Sequence, residues 1–331
     1  MEIKDLGEKE LIKRIQNLIP IPKSELLGNQ DDVFLFKQNS SNFIVLNTDM
    51  LVGKTDVPPM MDYFQVGVKA AIMNVSDLIV KGIIPKSIIV SLGLPPNLKV
   101  ENFEKIIKGI YFIAHKYDID YIGGDINEAC DLIIDITIMG ELNNTLIPRS
   151  GIKPGDSIIT TGKFGFTTAG LHLLLNHEKI EDEFKIFKNA VLEPTIKYKE
   201  ILAIASQDGI IGSIDSSDGL AASLFDLMEE NQVGFEINNL FIEPRLEKFS
   251  RRYKIPIEDL LFLGGEEYHA IFIINPDYWK EIKKFAEING YYIQKIGKVI
   301  DQKKILYQNK KLGIKREITK RGFEHFIPYH P

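Results

Sequence analysis

Short runs rich in isoleucine, valine and leucine alternate along this chain with longer stretches of helical period, and aspartates stand at the junctions between them. A run of the first kind has to be buried in a sheet, and a stretch of the second kind has to lay its apolar stripe against one. The alternation therefore predicts an α/β (α+β) protein. Strands are expected at residues 33–36, 43–46, 87–92, 121–122, 132–140, 157–161, 210–214, 269–274 and 293–299. Helices are expected at residues 8–19, 63–80, 100–117, 167–175, 181–191, 198–205, 220–230 and 278–289. Pro20 should stop the first helix, Gly82 and Pro85 the second, and Gly123-Gly124 the short strand before them.

The length of 331 residues suits two domains of about 150 residues each. The break falls in residues 147–156, where Pro148, Gly151, Pro154 and Gly155 interrupt the pattern, which gives domains 1–146 and 147–331. With 46 acidic and 40 basic residues the net charge is −6, so there is no electrostatic footprint for nucleic acid. The basic residues Lys303, Lys304, Lys310, Lys311, Lys315, Arg316, Lys320 and Arg321 are interrupted by Gln308 and Glu317 and read as a solvated face. A single cysteine, Cys130, rules out an internal disulfide or a cysteine metal cluster and suits a reducing compartment. The charged start lacks a signal-peptide core, and no run approaches the roughly 20 apolar residues of a membrane span. A cytoplasmic protein is expected.

Gly53-Lys54-Thr55 invites a reading as a phosphate loop, but its surroundings oppose it. That pattern needs a glycine five residues before Gly53 to aim backbone N–H groups at phosphates, and the position is Thr48. Asp56, Pro58 and Pro59 follow where a helix should open, so an irregular exposed segment is expected. What remains of interest is Thr48-Asp49 at a strand end, because similar carboxylates recur. Asp31-Asp32 precede a strand, Asp77 lies in a helix, Asp125 follows Gly123-Gly124, Asp215 and Asp218 follow a strand, and Glu266 follows Gly264-Gly265. Mg²⁺ takes oxygen ligands and is held by a few carboxylates together with substrate phosphates. A site for Mg²⁺ and a nucleoside triphosphate would draw carboxylates from several such junctions.

Each has a plainer reading as well. Residues 215–218 can cap the following helix, with Ser217 accepting a backbone N–H and Asp218 favoured by the helix dipole. Gly123-Gly124-Asp125 alone is a turn. Asp77 sits among Met73, Val75, Leu78 and Ile79, where burial demands a cation or a hydrogen-bonded network, exposure being the other way out. Arg149 can grip a phosphate with two hydrogen bonds or simply lie on the surface. The histidines lack H-x-x-x-H spacing, and no nucleophile elbow, protein-kinase signature or dinucleotide fingerprint is present.

Taken in order, these motifs resemble the thiamine-monophosphate kinases, in the superfamily that also holds aminoimidazole ribonucleotide synthetase, selenophosphate synthetase and a hydrogenase-maturation protein. The resemblance spans nearly the whole chain. It is carried by Gly7-Glu8, Asp31-Asp32, residues 48–52, Lys69-Ala70-Ala71, residues 74–78, Gly123-Gly124-Asp125, Arg149-Ser150-Gly151 with residues 153–156, Asp215 with residues 217–220, Gly264-Gly265-Glu266 with Tyr268, and Gly322-Phe323 with His325-Phe326. It implies an N-terminal mixed sheet with helices that pairs with its mate in a homodimer, a C-terminal α/β domain, and ATP in the cleft between them. By the same resemblance Asp32, Thr48, Asp49, Asp77, Asp125, Asp215 and Asp218 match Mg²⁺ ligands. Gly124, Asp125, Arg149 and Ser217 match ATP contacts, and Asp56, Glu266 and Phe323 match the thiamine end. Asp49, Asp125, Arg149 and Asp218 are the residues expected to carry the transfer.

The implied reaction is in-line transfer from ATP to the phosphate of thiamine monophosphate. That phosphate is already ionised near neutral pH, so no general base is required. Some positions depart from the family pattern. Gln30 stands where a glycine precedes the double aspartate, Asp56 where a histidine contacts substrate, Glu267 where an aspartate is usual, and Phe323 where tryptophan or tyrosine is common. Those changes leave two alternatives open: another acceptor within the superfamily, or a nucleotide-binding protein without activity. Selenophosphate synthetase is disfavoured by the lack of an N-terminal cysteine, and the hydrogenase-maturation protein by the absence of a cysteine in residues 326–331.

Overall fold

The computed structural model describes residues 2–19, 27, 31–37, 43–142 and 146–319. In chain order the first half comprises helix α1 (Glu8–Leu18), strands β1 (Phe34–Lys37) and β2 (Phe43–Val52), the single turn α2 (Gly53–Asp56), helix α3 (Tyr63–Val80), strand β3 (Ile83–Leu94), helix α4 (Val100–Lys116), and strands β4 (Asp120–Glu128) and β5 (Ile133–Leu142). The strands form one mixed sheet in the order β1-β2-β5-β3-β4, with β3 and β4 parallel and the other neighbours antiparallel. Helices α3 and α4 cover one face. They can approach closely because two glycines meet: a Cβ on Gly67 would lie 2.1 Å from the Ile106 carbonyl oxygen, and one on Gly109 would lie 2.1 Å from that of Phe64. Thr48, Met50, Ile89, Ser91 and Met139 share the opposite face, which is exposed.

Local chemistry explains where α3 begins and ends. The Asp62 side chain accepts from Gln65 N and the Gln65 side chain from Asp62 N, both at 2.9 Å, which satisfies free donors of the first turn. At the other end Gly82 adopts φ 76°, the left-handed conformation that closes a helix.

The second half comprises β6 (Ser157–Thr160), α5 (Phe166–Leu175), α6 (Lys185–Leu192), α7 (Tyr198–Ala205), β7 (Ile210–Ile214), α8 (Leu220–Asn231), β8 (Gly234–Ile237), α9 (Pro244–Tyr253), α10 (Ile257–Leu263), β9 (Ile271–Ile274), α11 (Trp279–Asn289), β10 (Gln294–Ile300), β11 (Ile305–Asn309) and β12 (Ile314–Ile318). Its sheet runs β12-β11-β8-β10-β6-β9-β7. Strand alternation divides its side chains between two cores. Ile158, Ile271 and Ile273 pack with Leu173, Leu224 and Phe249 from α5, α8 and α9. Ile159, Phe272 and Ile274 turn the other way, into a core that contains Ile201 and Ile204 of α7 together with Val75 and Ile79 of α3. One hydrophobic core therefore belongs to both halves.

A buried charge cluster also ties them. Lys81, directly after α3, is fully buried. Its ammonium lies 2.7 Å from Asp31 Oδ1 and 2.8 Å from Asp32 Oδ2 and donates to the Ser213 carbonyl on β7 at 2.8 Å. The Lys81 carbonyl accepts from Ile147 N at 3.3 Å.

Several expectations need correction. Gly123-Gly124 does not stop a strand; β4 runs through it, with an irregularity at Gly123 (φ 143°), and a Cβ on Gly124 would lie 1.8 Å from the Val90 carbonyl oxygen. Pro85 does not close a helix but sits inside β3, at a bulge opposite Gly140. Gly53-Lys54-Thr55-Asp56 is a helical turn rather than irregular. The basic residues near 303–316, by contrast, do form the expected solvated face, on the β11–β12 hairpin, where Arg316 pairs with Glu258 at 2.6 Å. Strands β8, β11 and β12 and helices α9 and α10 carried no recognised signal.

Unpairing a buried ion cluster by removing one member costs about 3–5 kcal/mol, against under about 1 kcal/mol for an exposed pair. Lys81→Met is expected to lower the unfolding free energy in denaturant titrations by the larger amount. Lys86→Met, which breaks an exposed pair with Glu141, should cost no more than the smaller. Equal losses would show that the Lys81 cluster does not clamp the fold.

Candidate active site

Strand β2 presents Asn47 and Asp49 toward α3 and Thr48 toward the open face. The Asn47 amide donates to the Asp32 carbonyl at 2.9 Å and to Asp77 Oδ2 at 2.8 Å, which ties the start of the first sheet to α3. Ser76, beside Asp77, donates from Oγ to Asp215 Oδ2 at 2.6 Å. Asp215 Oδ1 in turn accepts from Ser217 Oγ at 2.8 Å and Ser217 N at 3.3 Å. Carboxylates from β2, α3 and the loop after β7 are thus brought together at the junction of the two halves.

Their electrostatics separate two zones. Burial alone would raise Asp32, but Arg149 and Lys81 more than offset it and hold the carboxyl down to about 2. Asp49 and Asp215 lack that compensation, and for Asp77 and Asp218 the attraction of Arg149 and of Lys9 is outweighed. Burial followed by repulsion from Asp215, Asp32 and Asp49 pushes Asp77 well above the carboxylate range. Asp215 is raised by burial and by Asp32. Burial, Asp215, Asp56 and Glu8 push Asp49 up to about 6, although Met50 N donates to it at 2.9 Å. Asp218 opens to solvent, yet the surrounding protein atoms and repulsion from Asp215, Glu8 and Asp226 push it up to about 7.

Among the described residues no three His, Cys, Asp or Glu side chains form a ready-made metal cage. The donor set is nevertheless all oxygen and carries surplus negative charge. It fits a hard cation such as Mg²⁺, which takes one or two carboxylates and completes its shell with water and substrate phosphates. Asp49, Asp77, Asp215 and Asp218 are the side chains placed to offer those oxygens.

The other expected residues are placed less uniformly. Thr48 faces away: its hydroxyl donates to Asp135 Oδ1 at 2.9 Å on the open face. Asp125 also lies off the inner cluster, on exposed β4, in register with Ser91 of the open face. Gly124 is beside it, pressed against Val90. Arg149 is not a surface side chain; its guanidinium pairs with Asp32, its N–H donates to Asp31 Oδ2 at 3.0 Å, and its carbonyl accepts from Asn231 at 2.8 Å. Ser217 and Asp218 do not cap a helix, because Gly219 occupies the N-cap of α8 (φ 99°) without side-chain help. Asp56 folds its carboxylate back onto Val52 N at 2.7 Å. The amides of the GKT segment are engaged within the protein, Gly53 N by the Leu132 carbonyl at 2.7 Å and Lys54 N by Asp131 Oδ2 at 2.9 Å, so they make no phosphate cradle. Phe323 and Gln30 lie outside the described residues.

Glu266 stands on the loop after α10, with φ 65°, and its N–H donates to the Ser217 carbonyl at 2.5 Å. Glu267, next to it, turns away from the cleft and accepts from Gly165 N at 2.7 Å and Phe166 N at 2.8 Å, capping α5 from a distance. Sequence reasoning missed Asn47, Ser76, Lys81 and this cap. All are ordinary polar residues whose partners are far away in sequence.

Residues 30–142 match the AIR synthase related protein N-terminal domain, and residues 153–308 match the C-terminal domain of the same group. The chain is 33% identical over 325 residues to the thiamine-monophosphate kinase of Nitrosopumilus maritimus, covering 97% of this chain and 99% of that one. It belongs to the thiamine-monophosphate kinase family. The family member from Aquifex aeolicus is 32% identical over 92% of this chain and 97% of its own. A solved structure of AaThiL complexed with AMPPCP and TMP aligns with a TM-score of 0.83 at 28% identity, covering 98% of this chain and 99% of that chain. The two-domain α/β fold of the family is present here, as expected from the motifs. A hydrogenase-maturation protein, E. coli HypE, shares the fold alone, at 17% identity over 94% of this chain and 97% of its own, with a TM-score of 0.69.

The surplus charge predicts a pH dependence. In the folded, metal-free protein Asp49 keeps its proton up to about pH 6, whereas in the unfolded chain it loses it near ~3.9. The folded state therefore loses stability as pH rises between those values. Asp49→Asn should remove that loss and raise the metal-free unfolding free energy above pH 6 by about 2 kcal/mol or less, while shrinking the stabilisation that Mg²⁺ confers. A variant that is less stable at neutral pH and still fully responsive to Mg²⁺ would place Asp49 outside the repelling cluster.

Proposed function

We propose that this chain transfers the γ-phosphoryl group of ATP to thiamine monophosphate, yielding thiamine diphosphate and ADP. The observation that carries the reading is the uncompensated carboxylate cluster at the junction of the two halves, in a chain that aligns end to end with AaThiL complexed with AMPPCP and TMP. AMPPCP has the shape and charge of ATP, so that relative is seen with an analogue of the phosphate donor and with TMP together.

In this reading Asp32, Asp49, Asp77, Asp215 and Asp218, with the Thr48 carbonyl, hold Mg²⁺, and Asp125 joins them from β4. Mg²⁺, when bound, neutralises charge on the phosphates as the bond to the γ-phosphorus changes hands. Arg149 and Ser217 contact the nucleotide together with Gly124-Asp125. Arg149 starts from its pair with Asp32, so reaching a phosphate means exchanging one anionic partner for another at little cost in charge. Glu266, Asp56 and Phe323 form the thiamine end. The acceptor phosphate is its own nucleophile, which leaves the protein to position two anions in line and to screen their repulsion.

The chain acts as a homodimer in this reading. The open face of the first sheet shows Met50, Ile89 and Met139, and β4 is exposed along nearly its whole length, with Ile122 and Ile126 at 59% and 60%. A long apolar edge of this kind favours pairing with another chain. No described helix is long and apolar enough to cross a membrane, and the exposed thiol of Cys130 suits a reducing compartment such as the cytoplasm.

Two measurements test these readings. ADP release from Mg-ATP should depend on thiamine monophosphate and yield thiamine diphosphate, and Asp218→Ala should lower turnover by ~100-fold or more. ATP binding without product on this acceptor would overturn the acceptor assignment, and near-normal turnover of Asp218→Ala the metal assignment. Sedimentation equilibrium should give the mass of two chains, shifted to one by Ile89→Glu; a wild-type monomer would rule out the dimer.

A further inference from the structure

Lys69 is buried on α3, and its ammonium meets two oxygens contributed by opposite halves of the chain. One is the backbone carbonyl of Asp56, at the end of α2. The other is Glu266 Oε1, at 2.5 Å. Because the Asp56 carboxylate is turned back onto Val52 N, the lysine is held by the Asp56 main chain and by one carboxylate, that of Glu266. Glu266 itself is 28% exposed in its side chain, part of which still reaches solvent. Its left-handed backbone (φ 65°) costs on the order of 1 kcal/mol or more, a strain that persists only where surrounding contacts over-determine it. The lysine and the Ser217 carbonyl are two of those contacts. Ser76, which grips Asp215, is seven residues further along the same face of α3, about 11 Å along the helix axis. One helix face therefore organises both the metal end and the Glu266 end of the cleft.

A buried ion pair is a costly way to join two segments, since well-packed apolar residues commonly do so with equal or greater stability. The charge at position 69 is better explained by what it does to Glu266. We propose that Lys69 is a positioning residue for the acceptor: it fixes Glu266 and the α2 turn at one spacing, so that the open carboxylate oxygen meets the heterocyclic end of the acceptor, a cationic ring joined to an amine-bearing one. The inference rests on the acceptor reading given above. Lys69 touches neither phosphate nor metal in it.

The test is a double-mutant cycle with Lys69→Met, Glu266→Gln and the pair, followed by steady-state kinetics on Mg-ATP and thiamine monophosphate and by thermal unfolding of each variant. Lys69→Met should raise the KM for thiamine monophosphate about tenfold and leave the KM for Mg-ATP within about twofold. The double variant should be no worse than Glu266→Gln alone, because a positioner has no effect once its target is gone. Effects that multiply, or a KM for Mg-ATP that rises as much as that for the acceptor, would overturn the assignment. Should Lys69→Met fail to fold, Lys69→Arg takes its place in the cycle with the same expected pattern: the longer, planar group keeps the charge but not the spacing. Wild-type protein that binds Mg-AMPPCP and not thiamine monophosphate would overturn the acceptor reading and this assignment together. Uncoupled variants of an active wild type would overturn this assignment only.

Discussion

An ammonium group without water is expensive, and Lys81 is tolerated because three oxygens surround it. Two belong to Asp31 and Asp32, ahead of the first sheet, and the third is a carbonyl of β7 in the second. The lysine that ends α3 thereby fixes that helix against both sheets. Everything α3 presents to the cleft inherits its position from this clamp: Asp77, Ser76 on Asp215, and Lys69 on Glu266. The apolar side of the same helix does similar work by sharing one core with α7 and one face of the second sheet.

Along α3 the charge balance changes in steps. At the Lys81 end two cations, with Arg149 the second, satisfy Asp31 and Asp32, and Asp32 stays ionised. In the middle Asp49, Asp77, Asp215 and Asp218 are raised by burial and by neighbouring carboxylates, and the pull of Arg149 on Asp77 and of Lys9 on Asp218 does not offset it. At the Lys69 end a single ammonium holds a single carboxylate. A junction whose carboxylates are paired at one end and crowded at the centre attracts cations most strongly to the centre.

The loop after α10 shows why two glycines precede Glu266. A Cβ on Gly264 would lie 1.7 Å from Thr168 Oγ1, and one on Gly265 would lie 2.4 Å from the Ser217 carbonyl oxygen. The loop is squeezed between α5 and the 215–218 segment, and Glu266 and Tyr268 both take left-handed backbone angles as a result. Glu267 anchors the loop by capping α5, so the adjacent acidic residues serve opposite purposes: one faces the cleft and its neighbour supports the fold.

Periodicity alone placed most helices and strands and the α/β class, because each is a local property of side-chain spacing. It failed at the short strands β8, β11 and β12, and where a proline or glycine was taken for punctuation, at Pro85 and Gly123-Gly124. There a bulge and a close strand contact accommodate the residue, and neither is visible without the neighbouring strand. The order of the acidic motifs was sufficient to recognise the family. Which carboxylates share a face was not: Thr48 and Asp49 are adjacent in sequence, yet strand geometry sends their side chains to opposite sides of the sheet. Composition and order thus determined the class of the protein and its kinship. Tertiary structure decided which charges are paired and which crowd one another, since the partners of Lys81, Arg149, Asp215 and Glu266 come from elements far apart in the chain.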